Sequence, residues 1–143
     1  MAKPDSTPPV ALYSVGKSET PLPGIRDLAL FARSMMRMRL ERDQQFLPGL
    51  FQDPAWDIML DLFVARADGH DLSVSAVCVG CRAASATALR YLALLQDAAL
   101  VERSPDPSDR RRSYVRLTAL GQERMAAALT PSYERMRGLY ERR

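Results

Sequence analysis

At 143 residues and 47% apolar content, the chain is long enough for one hydrophobic core, hence one domain or one domain with a tail. The net charge of +3 is small but unevenly placed: residues 82–116 hold seven arginines against four acids, and the remainder is neutral. No apolar run of about 18 residues is present to span a membrane, no apolar leader follows the N-terminus, and two cysteines make no disulfide framework, so a cytoplasmic chain is expected.

Residues 1–24 contain five prolines, which exclude a long helix and weaken any strand. They are expected to form a disordered or extended tail, with a small apolar island at 10–13. The pattern changes at Ile25. Leu28, Phe31, Met35 and Met38 recur at helical steps, predicting a helix over 25–46. Leu30, Met36 and Leu40 widen its apolar surface, so the helix wants two partners: its own domain and either a second chain or further residues of the same chain.

Leu47-Pro48-Gly49 breaks that helix. Asp53-Pro54 restarts one, with Asp as cap and Pro at the first helical position. Trp56, Met59, Leu60 and Phe63 give it a core stripe, and Gly69 ends it. Asp53, Asp57 and Asp61 recur every four residues. As a metal site they would share one helical face, but Asp53 reads better as a cap and the others as the solvated side.

Ser73 is placed to cap a short helix over 73–80, with Val74, Val77 and Cys78 inward. After a turn at 80–84, a second helix over 85–97 turns Ala88, Tyr91, Leu92 and Leu95 inward and Ser85, Ala86, Thr87, Leu89, Arg90 and Ala93 outward. Two short helices around a tight turn make a helix-turn-helix. Two β-prone runs follow, 100–103 and 113–117, around a charged turn that includes Asp109, Arg110, Arg111 and Arg112. Thr118 then caps a helix over 119–129. Thr130-Pro131 repeats the cap-then-proline signal, predicting a separate last helix to about residue 140 with Tyr133, Met136, Leu139 and Tyr140 apolar. A basic hairpin mounted after a helix-turn-helix is the shape of a winged helix, a fold that grips duplex polyanions. The clustered arginines fit that reading, although a solvated salt-bridged turn has the same composition.

Several spacings in 95–121 together resemble the MarR family of bacterial winged helix-turn-helix regulators: Leu95, then Leu100-Val101-Glu102-Arg103, Asp109-Arg110-Arg111, Val115-Arg116-Leu117-Thr118 and Gly121. Thr87 and Arg90 also sit where the family's recognition helix usually carries Thr and Arg. The resemblance covers about residue 25 to the C-terminus and is tight over 73–121. It implies a mostly α fold with a small β-hairpin wing, in one domain over 25–143. Residues 25–46 and 119–143 would supply dimerisation helices and 53–117 the DNA-binding lobe.

It further implies a homodimer on double-stranded DNA, acting as a transcriptional regulator at a pseudo-palindromic operator. Ser85, Ala86, Thr87, Leu89 and Arg90 would face the major groove. Arg111, held by Asp109, would enter the minor groove, with Arg110 and Arg112 on phosphate. Family members commonly bind small aromatic effectors. Trp56, Phe63, Met35, Met36 and Met38 are candidates to line such a pocket, though core packing explains them as well.

The chain departs from the family pattern in three places. Ala98-Ala99 replaces a glycine after the recognition helix. Leu89 and Ala93 stand where polar residues are common. The helix-turn-helix also carries Cys78-Val79-Gly80-Cys81. This pair with one histidine is too few ligands for a structural zinc, and no cofactor is expected. A thiol switch and simple packing remain as readings of the cysteines. No phosphate loop, nucleophile elbow or partnered histidine suggests an enzyme. The alternative is a dimeric winged-helix protein-interaction module, or a thiol-responsive regulator with weak DNA specificity.

Overall fold

The computed structural model describes residues 22–143. The proline-rich expectation for the tail, with its apolar island, lies outside the described residues except at 22–24. Five helices and three short strands follow in order: α1 Ile25–Asp43, α2 Pro54–Ala67, β1 Leu72–Ser73, α3 Val74–Gly80, α4 Ser85–Asp97, β2 Val101–Pro105, β3 Ser113–Leu117 and α5 Ala119–Glu141. The strands form one antiparallel sheet in the order β1-β3-β2, with Arg103 opposite Val115 and Leu72 opposite Val115 from the other side.

The core is built from one face of each element. Leu28 and Ala32 of α1, Ile58, Leu60, Leu62 and Phe63 of α2, Val77 of α3, Ala88 and Leu92 of α4, Val115 and Leu117 of β3 and Leu129 of α5 are all almost fully buried. Ser73 and Thr118 cap as expected. The Ser73 hydroxyl accepts from the Ala76 N–H at 3.1 Å, and the Thr118 hydroxyl accepts from the Gly121 N–H at 3.0 Å. Gly121 has a packing reason of its own. A Cβ there would lie 2.0 Å from the Leu100 carbonyl oxygen, so only glycine lets α5 start against the base of the hairpin.

Four expectations are corrected. The C-terminal helix does not break at Thr130-Pro131; α5 runs unbroken through Pro131. Proline removes the backbone donor that would meet the Ala127 carbonyl, but packing on α1 holds the helix together, with Phe31 and Tyr133 edge to face at 5.9 Å. Met38 is not on the core stripe. Ten residues beyond Leu28 it has rotated about 80° around the helix and is 65% exposed.

Asp57 and Asp61 are not the solvated side of α2. Asp57 is buried between Arg39 and Arg82, and Asp61 is half-buried under Gly80. Burial raises the carboxyls of both above their ordinary range. Asp53 does flank α2, but its side chain caps nothing and instead sits 3.7 Å from Arg39.

Candidate nucleic-acid interface

The α3–α4 pair bends by 112° around the turn at 81–84, within the range of a helix-turn-helix. α4 buries Ala88, Leu92 and Leu95 and half-buries Tyr91. That leaves Ser85, Ala86, Leu89 and Arg90 exposed, with Thr87 half-exposed. The phase is the one the sequence predicts. The Arg90 guanidinium lies over the Tyr91 ring, 5.2 Å from its centroid.

α4 ends in a Schellman motif: Leu100 N–H donates to the Leu95 carbonyl at 3.0 Å and Ala99 N–H to that of Gln96 at 2.9 Å. The left-handed residue that this geometry needs is Ala99, at φ +60°. The end of α2 uses the same motif with Gly69, at φ +79°. The missing glycine noted in the sequence is therefore a real backbone cost. The Thr118 hydroxyl compensates in part by donating to the Ala99 carbonyl at 2.6 Å.

The hairpin tip is held by two carboxylates. Asp109 accepts from the backbone N–H of Arg111 at 3.0 Å, and its carbonyl accepts from Arg112 N–H at 3.1 Å. Asp109 thus fixes the Arg111 main chain rather than its guanidinium. Asp106 accepts from the Ser108 N–H at 2.8 Å, the Ser108 hydroxyl at 2.7 Å and the Tyr114 hydroxyl at 3.1 Å. The Ser108 bonds, then that of Tyr114, hold its carboxyl below the usual range. The Asp106 N–H closes the loop on the Arg112 carbonyl at 2.9 Å.

Sequence reasoning gave no role at the site to Asp106, nor to Arg103 beyond its place in the family motif. The Asp-Pro-Ser run was a usable signal for the first, since an Asp side chain readily binds the main chain two residues on. A cleft of ≈ 400 Å³ lies between the start of α3 and the hairpin, lined by Ser73, Ser75, Arg103, Asp109, Arg111 and Arg112 among others. Arg110 is exposed but does not line it.

Charge pairing and clustering together mark this surface. Arg33, Arg37, Arg39 and Arg42 of α1 each meet a carboxylate, as does Arg82 of the turn. Among the described residues, Arg90, Arg103, Arg110, Arg111 and Arg112 meet none within 4 Å; Arg26, Arg66, Arg124, Arg135, Arg142 and Arg143 meet none either, but lie scattered along the chain rather than on one hairpin. Arg116 pairs across the sheet with Glu102 at 3.5 Å. The arrangement offers guanidinium groups on a braced hairpin to an anionic partner.

Of the residues weighed for an effector pocket, Phe63 is fully buried, Trp56, Met35 and Met36 pack against the core, and Met38 is exposed. A cleft between α1 and α2 is lined instead by Arg26, Ala29, Leu30, Arg33, Ala67 and Asp68. Cys78 and Cys81 are free thiols, and Cys81 Sγ donates to the Cys78 carbonyl at 3.3 Å. Burial, reinforced by Cys81 and opposed by Arg103, pushes the Cys78 thiol up.

Comparison with known proteins follows the same outline. No family model matches the chain. The transcriptional regulator HosA of Escherichia coli O111:H- is 33% identical over 97 residues, 68% of each chain. Among solved structures, the S. aureus MepR–DNA complex superposes with a TM-score of 0.53 at 20% identity, covering 78% of this chain and 88% of that one. AF1382 from Archaeoglobus fulgidus gives 0.50 at 19% identity, covering 66% and 96%. The likeness to solved structures establishes the winged-helix fold; together with the similarity to HosA and the motif over 95–121, it means that the chain belongs to the MarR family of winged helix-turn-helix transcriptional regulators.

Proposed function

We propose that the chain binds double-stranded DNA as a homodimer at a pseudo-palindromic operator and regulates transcription from it. The observation that carries this reading is the clustering of unpaired arginines on the hairpin beside α4. Among the described residues, arginines that meet no acid also occur singly along α1, α2 and α5, whereas Arg103, Arg110, Arg111 and Arg112 gather on one braced hairpin beside Arg90 and are all exposed. In this reading α4 enters the major groove. Ser85, Thr87 and Arg90 offer hydrogen bonds to base edges, and Ala86 and Leu89 offer apolar contact to thymine methyls. Arg111 enters the minor groove, and Arg103, Arg110 and Arg112 take phosphates.

The dimer is supported by apolar side chains that the chain leaves uncovered at both ends of its helical body. Leu30 and Met38 of α1 and Leu139 and Tyr140 of α5 are each more than 60% exposed. We assign 25–46 and 119–143 to dimerisation and 53–117 to the DNA-binding lobe. Burial pushes the Cys78 thiol up, away from the thiolate form in which that residue would begin a thiol-responsive mechanism.

Selection from a random duplex library tests the proposal. Enrichment of a two-fold motif with half-sites about 10 base pairs apart is expected. Failure to enrich any motif would leave a protein-interaction module as the better reading.

A further inference from the structure

The turn of the helix-turn-helix contains an anomaly that the DNA-contacting surface does not explain. α3 ends on Cys81, and the next residue, Arg82, is left-handed at φ +57°, with its N–H donating to the Val79 carbonyl at 3.2 Å. Glycine is the favoured occupant of that position. A non-glycine residue held there persists when its surroundings over-determine it, and such strain gathers at functional places.

The surroundings of Arg82 are specific. Its guanidinium bonds Asp43, the last residue of α1, and lies 3.5 Å from Asp57 of α2. Asp57 is met from its other side by Arg39 of α1 at 3.1 Å, and Asp43 also accepts from Arg42 at 2.8 and 3.0 Å. The cluster holds three arginines and, counting Asp53 beside Arg39, three aspartates. It is neutral, so it is not an anion site. It joins the end of α1 and the start of α2 to the one bend that sets the direction of α4. A lysine in place of Arg82 would carry the charge without the fork that spans two carboxylates.

We infer that Arg82 is a positioning residue: clamped by Asp43 and Asp57, it fixes the angle at which α4 leaves α3, and so ties the presentation of the recognition helix to the end of α1. The inference rests on the DNA-binding reading above. It predicts that the clamp serves selectivity rather than general affinity for DNA. Arg82 itself does not touch the nucleic acid.

Asp43→Asn gives the cleanest test, because it removes a negative charge from a helix outside the DNA-contacting surface. Electrostatics alone would leave duplex affinity unchanged or raise it. The clamp predicts that affinity for the selected duplex falls relative to a scrambled one, lowering the ratio about tenfold, on the scale of one mispresented base contact. Arg82→Gly, which relieves the backbone and deletes the guanidinium, lowers the same ratio; Arg82→Lys restores it only in part; and the Asp43→Asn/Arg82→Gly double variant falls no further than Arg82→Gly alone.

Hydrogen exchange without DNA supplies the second readout: amides over 83–90 exchange faster in Asp43→Asn and in Arg82→Gly, while those of α2 do not change. An unchanged binding ratio with unchanged exchange overturns the inference. An equal loss on both duplexes in Arg82→Gly alone also overturns it, since that marks a phosphate contact. If the unaltered chain binds no duplex, the regulator reading fails, and the exchange rates decide by themselves whether Arg82 fixes the turn.

Discussion

The recognition helix and the wing are armed in opposite ways. The outward face of α4 carries small or apolar side chains, Ser85, Ala86, Leu89 and Ala93, and one cation, Arg90, which leans on Tyr91. The hairpin carries Arg103, Arg110, Arg111 and Arg112 on a loop braced by Asp106 and Asp109. The difference lies in how each side chain is held. α4 owes its rigidity to a buried stripe and can display short groups whose effect depends on placement. The hairpin has little buried beyond Val101, Val115 and Leu117, so its tip needs internal hydrogen bonds to hold long cations in place. On this view the wing supplies most of the affinity and α4 most of the discrimination.

The largest expected effect comes from the wing. Replacing Arg110, Arg111 and Arg112 together with alanine should weaken binding to every duplex and reduce the salt slope by about 1 for each phosphate that is no longer engaged. Arg111→Ala alone should cost about 1–3 kcal/mol by titration. A triple variant with undiminished affinity would move the weight to α4. Next comes Arg90→Ala, which should lower affinity for the selected duplex far more than for a scrambled one. An equal loss on both would make Arg90 a phosphate contact and leave α4 with less discrimination than we assign it.

A smaller effect is expected from acid. Because its hydrogen bonds depress the Asp106 carboxyl in the folded chain, the stability it contributes is complete above the ordinary value of about 4 and is lost as pH falls through the lower folded value. The amide signal of Ser108 should therefore broaden or shift on acidification while those of α4 hold, and Asp106→Asn should abolish the transition. Asp57 and Asp61 act with the opposite sign. Their raised carboxyls contribute stability that is present at low pH and lost as pH rises through their folded values, so the tip must be followed residue by residue. Smallest is Ala99→Gly, between the two regions. It should stabilise the fold by about 1 kcal/mol in thermal melts by removing the left-handed alanine, with selectivity unchanged.

What could be read from the residues alone divides along physical lines. The caps at Ser73 and Thr118, the inward stripe of α4 and the hairpin follow from local chemistry, and they appear where the sequence puts them. The motif glycine at Gly121 was visible, but its reason, the nearby Leu100 carbonyl, is a tertiary contact. Pro131 misled for the opposite reason. Its local signal is strong, yet packing on α1 outweighs one missing hydrogen bond. Asp57 resembled a surface residue because its partners lie 18 residues before it and 25 after it, at Arg39 and Arg82. Ionic clusters assembled across elements leave no periodic trace, and neither did the Tyr114 bond that completes the Asp106 brace.

The central claim, that this surface grips duplex DNA chiefly through the arginines of the wing, is tested most directly by titrating the intact protein with its selected duplex across a range of salt concentrations. Log affinity should fall linearly with log salt, with a slope near −0.9 per phosphate engaged, and the triple arginine variant should flatten it. Weak binding that does not change with salt, or a slope the triple variant leaves untouched, would contradict the account.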